Sequence, residues 1–392
     1  MRKLRSLASA ANIFLGLAGA LALGFALTAP ARADIKIGFQ APLTGPAATD
    51  GKSAEIAGQM AADAINAAGG VLGQKIELVI YDDQAKPDQA IFTANKLIGE
   101  DGVKLVVNAS YSASGRAAAP IFQQAGVAMI AAYGVHPDIT RAGDYMFRLV
   151  HLGPPQGAAT ALYIAKTLGL KKISAITMDN DYGQATMDGF LAAAGKYGLE
   201  VLNKYSYSLK DRQFGSIVAS VKNDNPDAVY ATGYFFTAGP LVAQLRAAGV
   251  TAPIIGSQAF DSQKFIEIAG PAAEGVYIID SFDRDRNDQA LQKFFADFKT
   301  RAGYPPEGVA AATYSAVMLM ADAIKRADSA DPAKVRDALA ATKNFPMLED
   351  NLSGFNSLHE IIQPISVNRI EDGKFKSVGV INDLDAFAPP EK

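Results

Sequence analysis

The sequence predicts an α/β protein of two lobes, each built on a mainly parallel sheet covered by helices. Short apolar runs rich in β-branched residues alternate with longer helical patterns to about residue 345, as βαβ units require. Of the 392 residues, about 359 remain once an amino-terminal leader is set aside, too many for one hydrophobic core. No low-complexity linker divides them, so the lobes should be joined by short segments crossing a hinge and not by a tether.

The elements follow in order. Nearly continuous apolar runs, expected of strands buried on both faces, occur at 35–40, 76–81, 105–108, 128–131, 145–150, 173–178, 228–232, 254–256 and 276–280. Amphipathic helical patterns fall between them at 53–67, 88–99, 114–124, 156–168, 183–197, 214–223 and 237–247. A passage between lobes is expected near His151, where Gly153-Pro154-Pro155 punctuates the chain. A long helix at 309–327 and a late strand pair, 361–370 and 375–381, turned by Glu371-Asp372-Gly373, predict that the chain revisits both lobes before it ends.

The first thirty-three residues read as an export leader. Arg2, Lys3 and Arg5 form a positive end, an uncharged run follows from Ser6 to Ala31, and Ala31-Arg32-Ala33 has the small-x-small pattern of a cleavage site. The run approaches the length of a membrane anchor, but Gly16, Gly19 and Gly24 dilute it. Cleavage after Ala33 and a periplasmic location are expected. Loss of Arg2, Lys3, Arg5 and Arg32 takes the formal charge from −3 to −7. Such an acidic product gives no support for binding nucleic acid. With no cysteine and three separated histidines at 136, 151 and 359, neither disulfides nor a structural metal is expected, and no cofactor is called for.

Several segments then carry a family resemblance. Ile35-Lys36-Ile37-Gly38 leads to Pro42-Leu43-Thr44-Gly45-Pro46, followed by Asp63-Ala64-Ile65-Asn66-Ala67-Ala68-Gly69-Gly70 and by Tyr81-Asp82-Asp83 with Pro87-Asp88-Gln89-Ala90. Ala118-Ala119-Pro120-Ile121-Phe122, Asp181-Tyr182-Gly183 and Gly233-Tyr234 come later. In order and spacing the chain resembles the periplasmic leucine/isoleucine/valine-binding proteins of ABC transporters. The resemblance implies a type I periplasmic binding fold, with two doubly wound parallel-sheet lobes joined by three hinge crossovers and closing on a solute. Lobe I would comprise 34–151 with 282–360, and lobe II 152–281 with 361–392. The expected partners are a small solute and a membrane permease, with the protein itself a monomer.

Solute contacts in such a fold belong at the carboxyl ends of strands, where loops and helix amino termini offer N–H groups to anionic atoms. Ser112 aligns with the family serine that holds the ligand carboxylate; the alternative for it, as for Ser114, is helix capping. Tyr133 and Val135 occupy positions where the family offers a carbonyl and a threonine. Val135 brings no hydroxyl, so a carboxylate would rely on its backbone N–H and on Ser112. Tyr182 and Tyr234 fall where the family lays tyrosines over the ligand, the alternative being core packing. Gln258 stands where amino-acid binders carry a glutamate for the ligand ammonium. An ammonium desolvated without a countercharge costs several kcal/mol. Asp50, in the 44–51 loop, could restore the ion pair or could cap the helix after Gly51.

Two solutes remain compatible with these substitutions: an amino acid of unusual side chain held through Asp50, or a carboxylate or amide without an ammonium, such as an aromatic acid. The mechanism expected is binding and closure without chemistry. There is no Gly-x-Ser-x-Gly elbow, no phosphate loop with its lysine and no His-Glu-x-x-His. Asp82-Asp83 should serve hinge or capping hydrogen bonds, not paired catalysis. A ligand sensor is the rival from another class, and a hydrolase the third.

Overall fold

A computed structural model of the protein describes residues 33–384, so the expected leader up to Arg32 lies outside the described residues. The apolar runs become strands because burial on both faces leaves no place for polar side chains. The first sheet joins β1 (Ile35–Ala41), β2 (Ile76–Asp82), β3 (Leu105–Asn108), β4 (Ala128–Ala131) and β5 (Met146–Arg148) in the order β2-β1-β3-β4-β5. All its pairings are parallel. Its covering helices are α1 (Ala48–Ala67), α2 (Pro87–Gly99), α3 (Ser112–Gln124) and the single turn α4 (Asp138–Arg141).

The chain then builds a second sheet from β6 (Lys172–Met178), β7 (Glu200–Tyr207), β8 (Ala228–Ala231), β9 (Ile254–Gly256) and β10 (Tyr277–Asp280). Around it lie α5 (Gly153–Leu162), α6 (Asp181–Ala194), α7 (Gly215–Asp224), α8 (Phe235–Ala247) and α9 (Gln263–Ala269). After β10 come α10 (Gln289–Ala302), α11 (Gly308–Ala327) and α12 (Pro332–Ala340), and α11 packs along α1 and against β3 and β4. The chain has returned to the first sheet. A short ladder pairs β11 (Phe345–Pro346) with β12 (Asn351–Leu352). Finally β13 (Ile365–Glu371) and β14 (Lys374–Ile381) add antiparallel strands to the second sheet, giving the order β14-β13-β10-β9-β8-β6-β7. The chain thus passes between the sheets three times.

Those passages are tied together in the interior. Arg148 is fully buried; its Nε donates to Glu360 Oε2 at 2.7 Å and its Nη2 to the His136 carbonyl at 2.7 Å. Glu360 also accepts from Thr140, and Phe147 stacks on His359 at 4.0 Å. His151 Nε2 meets the Gln363 carbonyl at 3.0 Å, and burial pushes its pKa down to about 4. A neutral imidazole thus links the first passage to the last. A pairing this deeply buried positions strands well, because breaking one partner strands a charge in the interior.

Several expected boundaries move. The helix expected at 53–67 begins at Ala48, so the 44–51 loop is shorter than its polar composition implies. The strand expected at 361–370 begins at Ile365. The helix expected at 156–168 starts at Gly153, with proline at its first turn where no N–H is needed, and ends in a wide turn over Tyr163–Thr167. β7 is an additional strand. Its sequence, EVLNKYSY, alternates at the edge of the sheet and is largely exposed, which hides it among polar residues. Asp82 accepts from the Leu43 N–H at 2.8 Å and the Gln84 N–H at 2.9 Å, tying the loops after β1 and β2 of the first sheet to each other and none of the three passages.

Candidate functional site: a tyrosine-lined cavity between the sheets

Each sheet delivers side chains from the carboxyl ends of its strands. On the first sheet β3 runs into α3, whose cap is Tyr111 and whose first residue is Ser112. The Ser112 hydroxyl does not cap the helix. It accepts instead from the Val135 N–H, in the loop after β4, at 3.0 Å. Ser114 does not cap either, and its buried hydroxyl lacks a partner among the described residues. On the second sheet β6 leads to α6, capped by Asn180, whose Oδ1 accepts from the Gly183 N–H at 2.8 Å. The next residue after Asp181, Tyr182, is thereby fixed at the opening of the helix. Tyr234 caps α8 after β8, and Gln258 opens a tight turn after β9.

These elements converge. Tyr111, Ser112, Tyr133 and Val135 from one sheet and Tyr182, Tyr234 and Gln258 from the other line a single small cavity. Tyr111 stacks on Tyr234 across it at 4.0 Å, Tyr182 stacks on Tyr234 at 5.2 Å, and Tyr133 lies 6.2 Å from Tyr111. The Tyr182 hydroxyl accepts from the Ala259 N–H at 3.0 Å, which holds the ring against the lobe wall. Outside the cavity, Arg116 on α3 and Asp181 on α6 form an ion pair at 3.2 Å, a contact between elements of the two sheets at the exposed rim.

Gln258 is already engaged on both sides. Its oxygen accepts from Gln156 Nε2 at 2.9 Å and its amide nitrogen donates to the Ser281 hydroxyl at 2.8 Å. Gln156 in turn donates to the His151 carbonyl at 2.8 Å.

Asp50 is not a loop residue and not a cap: it lies in the first turn of α1 and is buried. Close packing drives it inward, since a side chain at the adjacent Gly51 would collide with the Pro42 carbonyl. Its carboxylate does not line the cavity. Asp50 Oδ2 accepts from the Tyr111 hydroxyl at 2.8 Å, so it stands behind one of the rings that do. Burial pushes its pKa up to about 7, tempered by the Tyr111 hydrogen bond and reinforced by the charge of Asp261.

Four groups near Asp50 escape a reading of the sequence. Glu307, the residue before α11, is buried, and burial together with the charge of Asp50 raises its pKa to about 8. Ser53, whose hydroxyl meets that of Tyr304 at 3.0 Å, lies near enough to soften the shift without completing a hydrogen bond to it. Asp261, after β9, accepts from the Gly308 N–H that starts α11 at 2.8 Å and pairs with Arg284. Asp280 lies 3.6 Å from Arg284, and burial followed by the charge of Asp261 holds its carboxyl well above the usual range.

Two α/β sheets meeting over a cavity lined from both sides define a two-lobed solute-binding protein. A family model described as periplasmic binding protein matches residues 34–374. The leucine-, isoleucine-, valine-, threonine- and alanine-binding protein of Pseudomonas aeruginosa is 33% identical over 321 residues, 81% of this chain and 85% of that one. Among solved structures, the leucine-binding protein LivK of Thermotoga maritima superposes with a TM-score of 0.84 at 27% identity, covering 90% of this chain and 99% of its own. LivJ of Streptococcus pneumoniae, solved in complex with isoleucine, gives 0.83 at 27% identity, covering 88% of this chain and 99% of its own. The chain belongs to the periplasmic binding protein family, in its leucine/isoleucine/valine-binding branch.

Proposed function

We propose that the protein is the periplasmic solute-binding component of an amino-acid ABC transport system, exported with cleavage after Ala33. Working as a monomer, it closes two lobes on the solute and delivers it unchanged to a membrane permease. The lobes are 34–151 with 282–360 and 152–281 with 361–392, hinged at the three passages. The observation that carries this reading is the convergence of Ser112, Tyr133, Val135, Tyr182, Tyr234 and Gln258 from two sheets on one cavity. Side chains from both walls give a bound solute more contacts in the closed state than in the open one, and that difference in affinity is what drives closure. A carboxylate such as an aromatic acid, or an amide, would leave the buried Asp50 carboxyl beside Tyr111 without a countercharge, so an amino acid fits the site better.

Calorimetry on the purified protein with a panel of amino acids, aromatic acids and amides tests the reading, alongside small-angle scattering for closure and mass spectrometry of the recovered solute. An amino acid should bind, shrink the protein and return intact. Consumption of the solute, or binding by acids and amides alone, would defeat it.

A further inference from the structure

Buried acceptors without donors are rare in folded proteins, because each forfeits its hydration for nothing. Here three occur together. Asp50 Oδ1 and both carboxylate oxygens of Glu307 lack a hydrogen-bonding partner among the described residues, on side chains that are 3% and 2% exposed. Both residues sit on the first-sheet side, one in the first turn of α1 and the other at the start of α11, which packs along α1. Arg284, the buried cation of this neighbourhood, pairs with Asp261 and lies 3.6 Å from Asp280, while Lys52 and Lys264 at the nearby surface pair with Glu55 and Glu267. A solvent-open groove between the start of α1 and α9, lined by Lys52, Lys264 and Glu267 as well as Thr49, Tyr304 and Glu307, gives Glu307 a path to the outside.

Three open oxygens on two carboxylates match the three N–H donors of a primary ammonium. The location then restricts where that ammonium sits in the solute. The Tyr111 hydroxyl touches Asp50, whereas Ser112, the next residue, meets the Val135 N–H near the backbone end of Tyr111. The two polar subsites are therefore separated by the length of a tyrosine side chain. In an α-amino acid the ammonium and the carboxylate are one carbon apart and cannot occupy both. Gln258, the polar group nearer to Ser112, is uncharged and satisfied by Gln156 and Ser281.

We propose that Asp50 and Glu307 form the ammonium subsite, and that the solute is an amino acid whose amine is separated from its carboxylate by several carbons. The inference rests on the amino-acid reading above. The carboxylate lies at Ser112, whose hydroxyl accepts from the Val135 N–H and keeps its own proton to donate, the methylene chain lies along the tyrosine rings, and the amine enters between the two acidic side chains. Groups facing the amine are Tyr111, Ser53 and Tyr304 from the first-sheet side, with Asp261 and its partner Arg284, and Asp280 beyond them, from the other.

The test compares leucine with 4-aminobutanoate, 5-aminopentanoate, 6-aminohexanoate and pentanoate by calorimetry at pH 7 in buffers of different ionisation enthalpy. One of the three ω-amino acids should bind at least tenfold tighter than leucine and a hundredfold tighter than pentanoate, releasing protons as it displaces them from the acidic pair. Glu307→Gln and Asp50→Asn should each weaken it at least tenfold and reduce the proton release. The proton count on the unaltered protein stands even where a variant folds poorly. If leucine binds tighter than every ω-amino acid, or if no protons leave, the proposal is wrong while the transport function stands. If no amino acid binds at all, both fall.

Discussion

The two polar ends of the cavity region contrast sharply. At one end, Gln258 has taken the place of a charged group and is held on both sides by Gln156 and Ser281, every contact near 2.9 Å. At the other end, Asp50 and Glu307 are equally buried and hold open acceptors. A satisfied amide is complete as it stands and serves chiefly to fix the loops that frame the cavity. An unsatisfied carboxylate pair is a destabilised arrangement that a cation would relieve. The difference teaches that a side chain at the aligned position need not be where the binding energy resides.

The strongest way to break this contrast is through pH. The folded-state pKa values of Asp50 and Glu307, about 7 and about 8, lie above the ordinary carboxyl values of 3.8 and 4.5. Folded protein therefore holds more protons than unfolded chain between those limits, so stability present below about pH 4 is lost as pH rises through 7 and 8. Asp83, raised to about 6, and Glu349, raised to about 7, act in the same direction, while His151, lowered to about 4, acts oppositely. Asp50→Asn should remove its share, making the solute-free protein more stable at pH 8 by a few kcal/mol and leaving it nearly unchanged at pH 4. Thermal melts across that range check it; a variant less stable than the parent at pH 8 would show the carboxylate to be structural after all.

A smaller effect is expected at the satisfied end. Gln258→Leu strips partners from Gln156 and Ser281 and should lower stability by about 1–3 kcal/mol, while solute affinity falls less than tenfold. Loss of a hundredfold or more in the titration would move the recognition role back to Gln258. The least effect belongs to the rim: Arg116→Ala removes an exposed ion pair to Asp181 and should change stability by under about 1 kcal/mol. Its influence on the solute dissociation rate, measured by stopped flow at low and high salt, should vanish as the salt rises.

The sheets were largely legible in the sequence, since strands such as β3 and β8 are uninterrupted apolar tetrads buried on every side. β7 was not, because an edge strand exposes half its residues and reads like a loop. Leu291, Phe294 and Phe298 do mark the buried face of α10 at helical spacing, yet nothing in that spacing says which sheet it covers. At the cavity, the family resemblance, applied to strand ends, brought Ser112, Tyr133, Val135, Tyr182, Tyr234 and Gln258 into view. Tyr111 was hidden beside Ser112, as a cap without a capping side chain. Glu307 was hidden more deeply. In Tyr304-Pro305-Pro306-Glu307-Gly308 it reads as a solvated turn, and two of the groups around it, Asp50 and Ser53, lie more than two hundred positions away in the sequence.

The late return of β13 and β14 to the second sheet also has a consequence for biosynthesis. β10 waits for residues 365–371 to supply its outer neighbour, and these are translated well after it. A nascent chain therefore cannot complete its second sheet until β13 has left the ribosome, because contacts so distant in sequence form slowly and late.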